Sequence, residues 1–347
     1  RSTSAKPPTG KSPPDERGHG AMTEGTEANQ GSPQGADPKV DADADTAADA
    51  GSASAPLRKR ATPPPIEPGA LHSLILAPDT ENPILASTLS VTNERGETER
   101  VRAICERPLT IFLNSQEIVT AMTVGDYPEM LALGYLINQG MLPREPALDG
   151  IDYDADLGVV VVRTPEETDF EDRLRKKTLT SGCAQGTVFG DLMDQLDGVR
   201  LPDDGVQLPL STLARLLRRL ASVPSLYLEA GGIHGCALAE ADRPLIYMED
   251  VGRHNAVDKI AGVMAERGIE PSGKIFYTTG RLTSEMVIKT VTMGLPVLIS
   301  RSGFSAWGVE LARQTNLTLI GRAKGRRMTV LAGKQRLVFD TAEETGG

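Results

Sequence analysis

The amino-acid sequence predicts an α/β protein, α+β overall, whose folded part lies behind a disordered tail. Three observations carry the prediction. Residues 1–66 of the 347 contain only Met22, Val40, Leu57 and Ile66 as large apolar residues, so they cannot bury a core. Two hairpin patterns and one helix pattern between Ala86 and Val162 define a small antiparallel α+β domain. From Leu245 to Ile320, strand and helix patterns alternate, which implies a largely parallel sheet with helices on its faces. The division that follows is a disordered tail over 1–68, an N-terminal α+β domain over 69–165, a mobile cysteine loop and linker over 166–206, and a C-terminal α/β domain over 207–347.

Each element has its own signal. Residues 1–66 hold ten prolines and the acidic run Asp41, Asp43, Asp45 and Asp49. Ala86 to Thr92 and Val101 to Ile104 flank the turn Asn93-Glu94-Arg95-Gly96, and Leu109 to Leu113 and Ile118 to Val124 flank Asn114 and Ser115. Asp126 is placed to cap a helix, with Pro128 in its first turn and Glu129 completing a capping box. Leu133, Leu136 and Ile137 give that helix one buried stripe, Gly140 ends it, and Val159 to Val162 add a strand. Leu213, Leu216, Leu217 and Leu220 recur at helical spacing, with Arg215, Arg218 and Arg219 as a solvated face. Ile233 to Ala239 and Leu245 to Met248 form a further hairpin. The stretch Glu249 to Lys259 then leads into a helix with the stripe Val257, Ile260, Ala261 and Met264. Lys274 to Tyr277, Pro296 to Ile299 and Leu317 to Ile320 are strands, separated by helices over Ser284 to Met293 and Ser305 to Gln314. Met328 to Leu331 and Leu337 to Phe339 close the chain.

Composition narrows the function classes. A net charge of −10 argues against nucleic-acid binding by bulk attraction, although Arg322, Lys324, Arg326 and Arg327 make a local basic patch. No apolar run approaches the roughly 20 residues of a membrane span, and the tail lacks the apolar region of a signal peptide. Three widely spaced cysteines, Cys105, Cys183 and Cys236, make no disulfide framework, so a reducing cytoplasm is the expected location.

Two features carry chemistry. Thr180 to Thr187 is a small, polar, glycine-bearing loop around Cys183, and Arg173, Arg175, Lys176 and Lys177 upstream favour its thiolate. Three strand-to-loop junctions share a second pattern: Thr279-Gly280-Arg281, Arg301-Ser302-Gly303, and Gly321-Arg322-Ala323-Lys324-Gly325-Arg326-Arg327. Parallel strands place all three on the carboxyl edge, where glycines expose N–H groups and arginines bind oxyanions. A phosphorylated or otherwise anionic ligand is expected there. His234, Cys236 and His254 could join Cys183 as a zinc site, but no Cys-x-x-Cys pair and no zinc deaminase motif is present, so no metal is expected. Glu249 and Asp250 point apart as strand neighbours, so Asp250 is expected to orient Arg253 or cap the helix rather than form an acid/base pair.

EDVGRHNAVDK from Glu249, GGIHGCAL from Gly231, TGRLTSEMVIKTVTMGLPVL from Thr279 and the ending VELARQTNLTLIGRAKGRR resemble the formate dehydrogenase accessory sulfurtransferase family, FdhD. ERPLTIFLNSQEIVTAMTVGDYPEMLALGYLINQGML resembles that family's first domain, so the likeness runs from roughly Thr88 to Leu331. The resemblance implies a sulfur carrier. A cysteine desulfurase loads a persulfide on a loop cysteine, and the sulfur passes to the molybdenum bis(molybdopterin guanine dinucleotide) cofactor of formate dehydrogenase. It also implies a cytidine deaminase-like three-layer C-terminal domain without the zinc ligands. Residue by residue, Cys183 matches the persulfide cysteine. Arg322, Ala323, Lys324, Gly325, Arg326 and Arg327 match the turn for the guanine dinucleotide, with Arg281, Arg253 and His254 expected as ligand-facing or loop-ordering groups. A homodimer would bring loops and clefts of two copies together.

One departure stands out. Where the family usually has Cys-x-x-Cys, this chain has Cys183-Ala184-Gln185-Gly186. A lone thiolate can take the outer sulfur of a donor persulfide, but it cannot release that sulfur by closing a local disulfide. Release then needs an external thiol, direct transfer to the metal, or a partner's cysteine; Cys236 is the candidate within the chain, though its strand position gives it a packing role. The rival reading is a cofactor-binding chaperone that has lost the transfer step, with a zinc hydrolase a distant third.

Overall fold

The computed structural model describes residues 76–165, 196, 198–203 and 205–340. The tail assigned to 1–68 and the stretch 166–195, with Cys183, lie outside the described residues.

Alternation of apolar residues builds the first region. Strands β1 (Ala86–Thr92) and β2 (Thr98–Ile104) pair antiparallel from Ala86↔Ile104 to Thr92↔Thr98. The Asn93 side-chain carbonyl closes the turn by accepting the N–H groups of Arg95 and Glu97, each at 3.0 Å. β3 (Arg107–Leu113) and β4 (Gln116–Thr123) form the second expected hairpin, with Asn114 at φ 54°. The sheet they belong to is not purely antiparallel. β5 (Gly150–Asp154) and β6 (Val159–Arg163) join it in the order β4-β3-β6-β5, and β3 runs parallel to β6. The link from β4 to β6 passes through α1 (Pro128–Asn138), which gives a parallel return its crossover.

Helix α1 also corrects its expected start. Its N-cap is Tyr127 in the left-handed region with no side-chain cap, and Asp126 instead turns to the buried ammonium of Lys259. Nor is one stripe buried: every residue from Met130 to Asn138 is. One side packs on the β3–β6 sheet through Leu133, Leu136 and Ile137. The other lies against the helix Arg253–Glu266 of the second region.

The second region is a six-stranded sheet between two helical layers. β7 (Leu208–Pro209) leads into α2 (Leu210–Leu220) and the short α3 (Leu226–Ala230). Then follow β8 (His234–Glu240), β9 (Arg243–Asp250), α4 (Arg253–Glu266), β10 (Lys274–Thr278), α5 (Ser284–Thr292), β11 (Val297–Ser300), α6 (Ala306–Gln314), β12 (Thr318–Lys324), β13 (Arg327–Ala332) and β14 (Leu337–Val338). The sheet order is β13-β12-β11-β10-β8-β9, with β10, β11 and β12 parallel and the outer pairs antiparallel. Strand periodicity sorts its side chains: Cys236, Leu238, Met248, Phe276, Leu298 and Leu319 face the core of α4, α5 and α6, while Ala237, Ala239, Tyr247, Ile275, Ile299 and Ile320 face α2. This is the expected three-layer arrangement.

The regions meet where α1 crosses α4. A Cβ at Gly134 would run into the carbonyl oxygen of Asp258, and one at Gly262 into that of Met130. Two glycines therefore let the backbones touch. Around this contact α4 is buried from Arg253 to Met264, beyond the single stripe its periodicity predicts. Its polar residues are neutralised inside. Lys259, 0% exposed, pairs with Asp126 and with Asp250 at 2.6 Å, and donates to the Glu249 carbonyl at 2.9 Å. Burial pulls the Lys259 ammonium down, but the two carboxylates outweigh it and raise its pKa. Asp258 accepts from Lys289 at 2.7 and 2.9 Å and from the Asn138 amide at 2.7 Å.

Candidate functional site

The parallel strands β10, β11 and β12 end on one edge of the sheet, and β9, parallel to β10 through β8, ends there as well. Helices α4, α5 and α6 begin at this edge, so the positive ends of their dipoles converge on it. The loops are stitched together by short bonds. Ser300 Oγ donates to the Gly280 carbonyl at 2.6 Å and accepts the Ser302 N–H at 2.9 Å; Arg322 N–H donates to the Ser302 carbonyl at 2.9 Å. Leu282 N–H donates to Gly303 O, and Ser305 N–H to Leu282 O. The three junctions picked out in the sequence thus form one bonded rim.

Their arginines face outward. Arg281, Arg301 and Arg322 are exposed, Arg301 lying over the Tyr227 ring at 5.6 Å and Arg322 over the Phe304 ring at 5.3 Å. Arg322 sits at φ 52°, beside a register shift between Gly321 and Lys324. A non-glycine residue in that conformation costs energy and re-aims the chain, here at the mouth of the rim. The third junction differs from expectation in kind: it does not lead to a helix. β12 continues to Lys324 and returns as β13 through Gly325 (φ 61°) and Arg326, a two-residue turn with glycine first. Lys324, Arg326 and Arg327 stand exposed on this hairpin, whereas Ala323, 2% exposed, belongs to the core. The register shift between Gly321 and Lys324 explains that placement, because it brings Ala323 to the α2 side with Ile320.

Arg253 and His254 lie beneath the rim rather than on it, 7% and 2% exposed. Arg253 packs against Gly280, where a Cβ would stand 3.0 Å from Arg253 Cδ. His254 Nε2 is 3.1 Å from Glu285 Oε2. That carboxylate favours the imidazolium, but burial, Lys289, Arg253, His234 and Arg281 hold the ring well below its ordinary pKa, hence neutral. Their position fits a loop-ordering role.

The acidic pair separates as strand neighbours should. Glu249 faces α3, accepting from Ser225 Oγ and Leu226 N–H at 2.7 Å each and from Tyr227 N–H at 3.2 Å; burial raises its pKa despite these bonds. Asp250 faces α4. It accepts from Gly252 N–H at 3.2 Å and Asn255 Nδ2 at 2.9 Å, but its ionic partner is Lys259, not Arg253. Cys236 is fully buried, its thiol donating to Thr278 Oγ1 at 3.3 Å; burial pushes its pKa up to about 12. A thiol so placed packs and is not a resolving nucleophile. Among the described residues no group of three His, Cys, Asp or Glu is set to hold a metal, and no helix is long and apolar enough to cross a membrane.

One residue of the rim escapes a motif-based reading. His234 matters as a rim residue rather than as half of a zinc pair: Thr279, which accepts the Gly235 N–H at 3.0 Å, holds the His234 ring at 3.3 Å. The signal was the antiparallel start of β8, which sets His234 beside the Thr279-Gly280-Arg281 turn.

Comparison with known proteins shows what the chain is similar to. The family model described as FdhD/NarQ family matches residues 104–338. The chain is 29% identical over 234 residues to a protein named sulfur carrier protein FdhD from Listeria monocytogenes serotype 4b (strain F2365), covering 67% of this chain and 90% of the relative. It is 27% identical over 248 residues to the protein of the same name from Bacillus subtilis (strain 168), covering 70% and 94%. Among solved structures, one described as a formate dehydrogenase accessory protein from Desulfotalea psychrophila superposes with a TM-score of 0.58 at 27% identity, over 73% of this chain and 98% of that one.

Proposed function

The chain belongs to the FdhD/NarQ family, and on that premise we propose that it is a sulfur carrier for formate dehydrogenase. Cys183 receives sulfane sulfur from a cysteine desulfurase in a reducing cytoplasm. The sulfur is passed to a molybdenum bis(molybdopterin guanine dinucleotide) cofactor held at the rim. The observation that carries the reading is the rim itself: Arg281, Arg301 and Arg322 stand exposed on three bonded loops at converging helix starts, an arrangement suited to a phosphorylated cargo. The names of the relatives support sulfur as what is carried.

The chemistry balances without a second cysteine. The Cys183 thiolate attacks the outer sulfur of the donor persulfide; the donor's S–S bond breaks, its thiolate leaves, and a new S–S bond forms on Cys183. Delivering that sulfur as sulfide requires two electrons. Gly186 stands where the family usually has a cysteine, so an external thiol supplies them: it attacks Cys183 Sγ, the persulfide S–S bond breaks and sulfide leaves, and a second thiol resolves the mixed disulfide left on Cys183. Incubation with a desulfurase and cysteine, followed by mass-spectrometric mapping of sulfane sulfur, should place it on Cys183; a wild-type signal in Cys183→Ala would overturn the assignment. Gly186 also favours a second reading, a chaperone that binds the cofactor without transferring sulfur. That reading expects Cys183→Ala to rescue formate dehydrogenase activity in cells lacking their own accessory protein, whereas a sulfur carrier expects loss of rescue.

A further inference from the structure

His234 opens β8 and, because β8 runs antiparallel to β10, comes up at the rim beside Thr279, Gly280 and Arg281. The place of its half-buried ring is fixed through Thr279. Thr279 N–H donates to the Gly235 carbonyl at 2.9 Å, Gly235 N–H donates to Thr279 Oγ1 at 3.0 Å, and His234 Nδ1 lies 3.3 Å from that oxygen. A hydroxyl has one proton to give and two lone pairs. With one lone pair taken by Gly235, Thr279 Oγ1 can donate to a bare Nδ1 or accept from a protonated one. The ring therefore keeps its position in either charge state.

Among the described residues, the charges around it come from three neighbouring elements and the strand pair itself. The start of α4 supplies Arg253 and the neutral His254, the β10–α5 loop supplies Arg281, and α5 supplies Glu285, which is held by His254 at 3.1 Å. Across the strand pair stands Asp250, committed to Lys259 and Asn255. Burial first, then Arg253 and Arg281, hold the His234 pKa below its ordinary value. An anion seated at the rim offsets those two guanidiniums.

We propose that His234 is a ligand of the anion at this rim and takes up a proton from solvent as that anion binds. The proposal rests on the reading of the rim as an anion site and adds its regulation: by linkage, affinity rises as pH falls, by at most about tenfold per pH unit for a single proton. Neutral in the empty protein, the imidazole adds no repulsion to a crowded cationic rim; protonated, it adds a charged donor.

Calorimetric titration of GDP into the full chain between pH 8 and pH 6, with wild type and His234→Gln, tests this. The diphosphate's own titration is common to both proteins and cancels in the difference. Wild type should gain about three- to tenfold more affinity than His234→Gln over this range. In parallel, NMR titration of the four histidines should show the resonance absent in His234→Gln moving to a higher pKa on adding GDP. His234→Asn, which keeps a polar atom near the Nδ1 position, serves if His234→Gln does not fold. Equal pH slopes in the two proteins with an unmoved His234 resonance would overturn the proposal, as would movement confined to His254. Absence of GDP binding at every pH would instead overturn the anion reading itself.

Discussion

Two charged regions meet at α4 and treat charge in opposite ways. Along the buried length of the helix, Lys259 is enclosed by Asp126 and Asp250, and Lys289 by the Asp258 carboxylate, with partners drawn from α1, from the segment before it, from β9 and from α5. At the rim where the helix starts, Arg281, Arg301 and Arg322 are exposed, two of them resting on aromatic faces. Internal pairs tie parts of the chain to one another, away from solvent. The outward guanidiniums face the solvent from which a ligand arrives.

The largest expected effect breaks the inner region. Gly134→Val would drive a side chain into the Asp258 carbonyl and separate α1 from α4. A loss above about 5 kcal/mol, or failure to yield folded protein, is expected, checked by expression and thermal unfolding; a stable variant would mean the helices have room to part. Next, Lys259→Met leaves Asp126 and Asp250 facing each other without their cation. Urea unfolding should show a loss of about 3–5 kcal/mol, and a change below about 1 kcal/mol would indicate that water reaches the carboxylates. The smallest effect on stability belongs to the rim. Arg322→Gln and Arg281→Gln should each stay within about 0.5 kcal/mol of wild type while weakening GDP binding about tenfold, the loss of one charge-assisted hydrogen bond. Unchanged binding in both would show that the cations do not face the ligand.

The same contrast explains what could be read from the sequence. Strands and helices from Leu245 to Ile320 alternate locally, so their order and the common edge of three junctions were visible in periodicity alone. The outward arginines followed, since glycine-arginine turns after apolar strands have few other placements. Non-local pairings were not visible. The parallel union of β3 and β6 needs a partner nearly fifty positions away (Thr110↔Val159), and β5 lacks a strong alternating pattern. The burial of Lys259, Asp258 and Lys289 was not visible either, because periodicity marks one apolar stripe and is silent about a second, charged contact. Gly134 and Gly262 inside helices were the available hint, for glycine there is costly unless a backbone needs the space. Asp126 met the pattern of a capping box, but a buried ammonium competes for the same carboxylate and wins. At the site, Ala323 is drawn in by its basic neighbours although the bulge after Gly321 turns it to the core. His234 was masked by its spacing to Cys236, which resembles a metal pair until the buried thiol is seen bonded to Thr278.

The glycine crossing also bears on how the chain is made. Asn138 on α1 and Asp258 on α4 are separated by 120 residues. At about 5–20 residues per second of synthesis, α1 waits on the order of ten seconds before the helix that covers its second face exists. During that interval a largely apolar helix side is open on the nascent chain. Contacts this distant in sequence close late and slowly, so the cationic rim, set by the start of α4, is assembled near the end of folding. Pulse proteolysis of ribosome-stalled chains should find α1 cleavable until α4 has emerged.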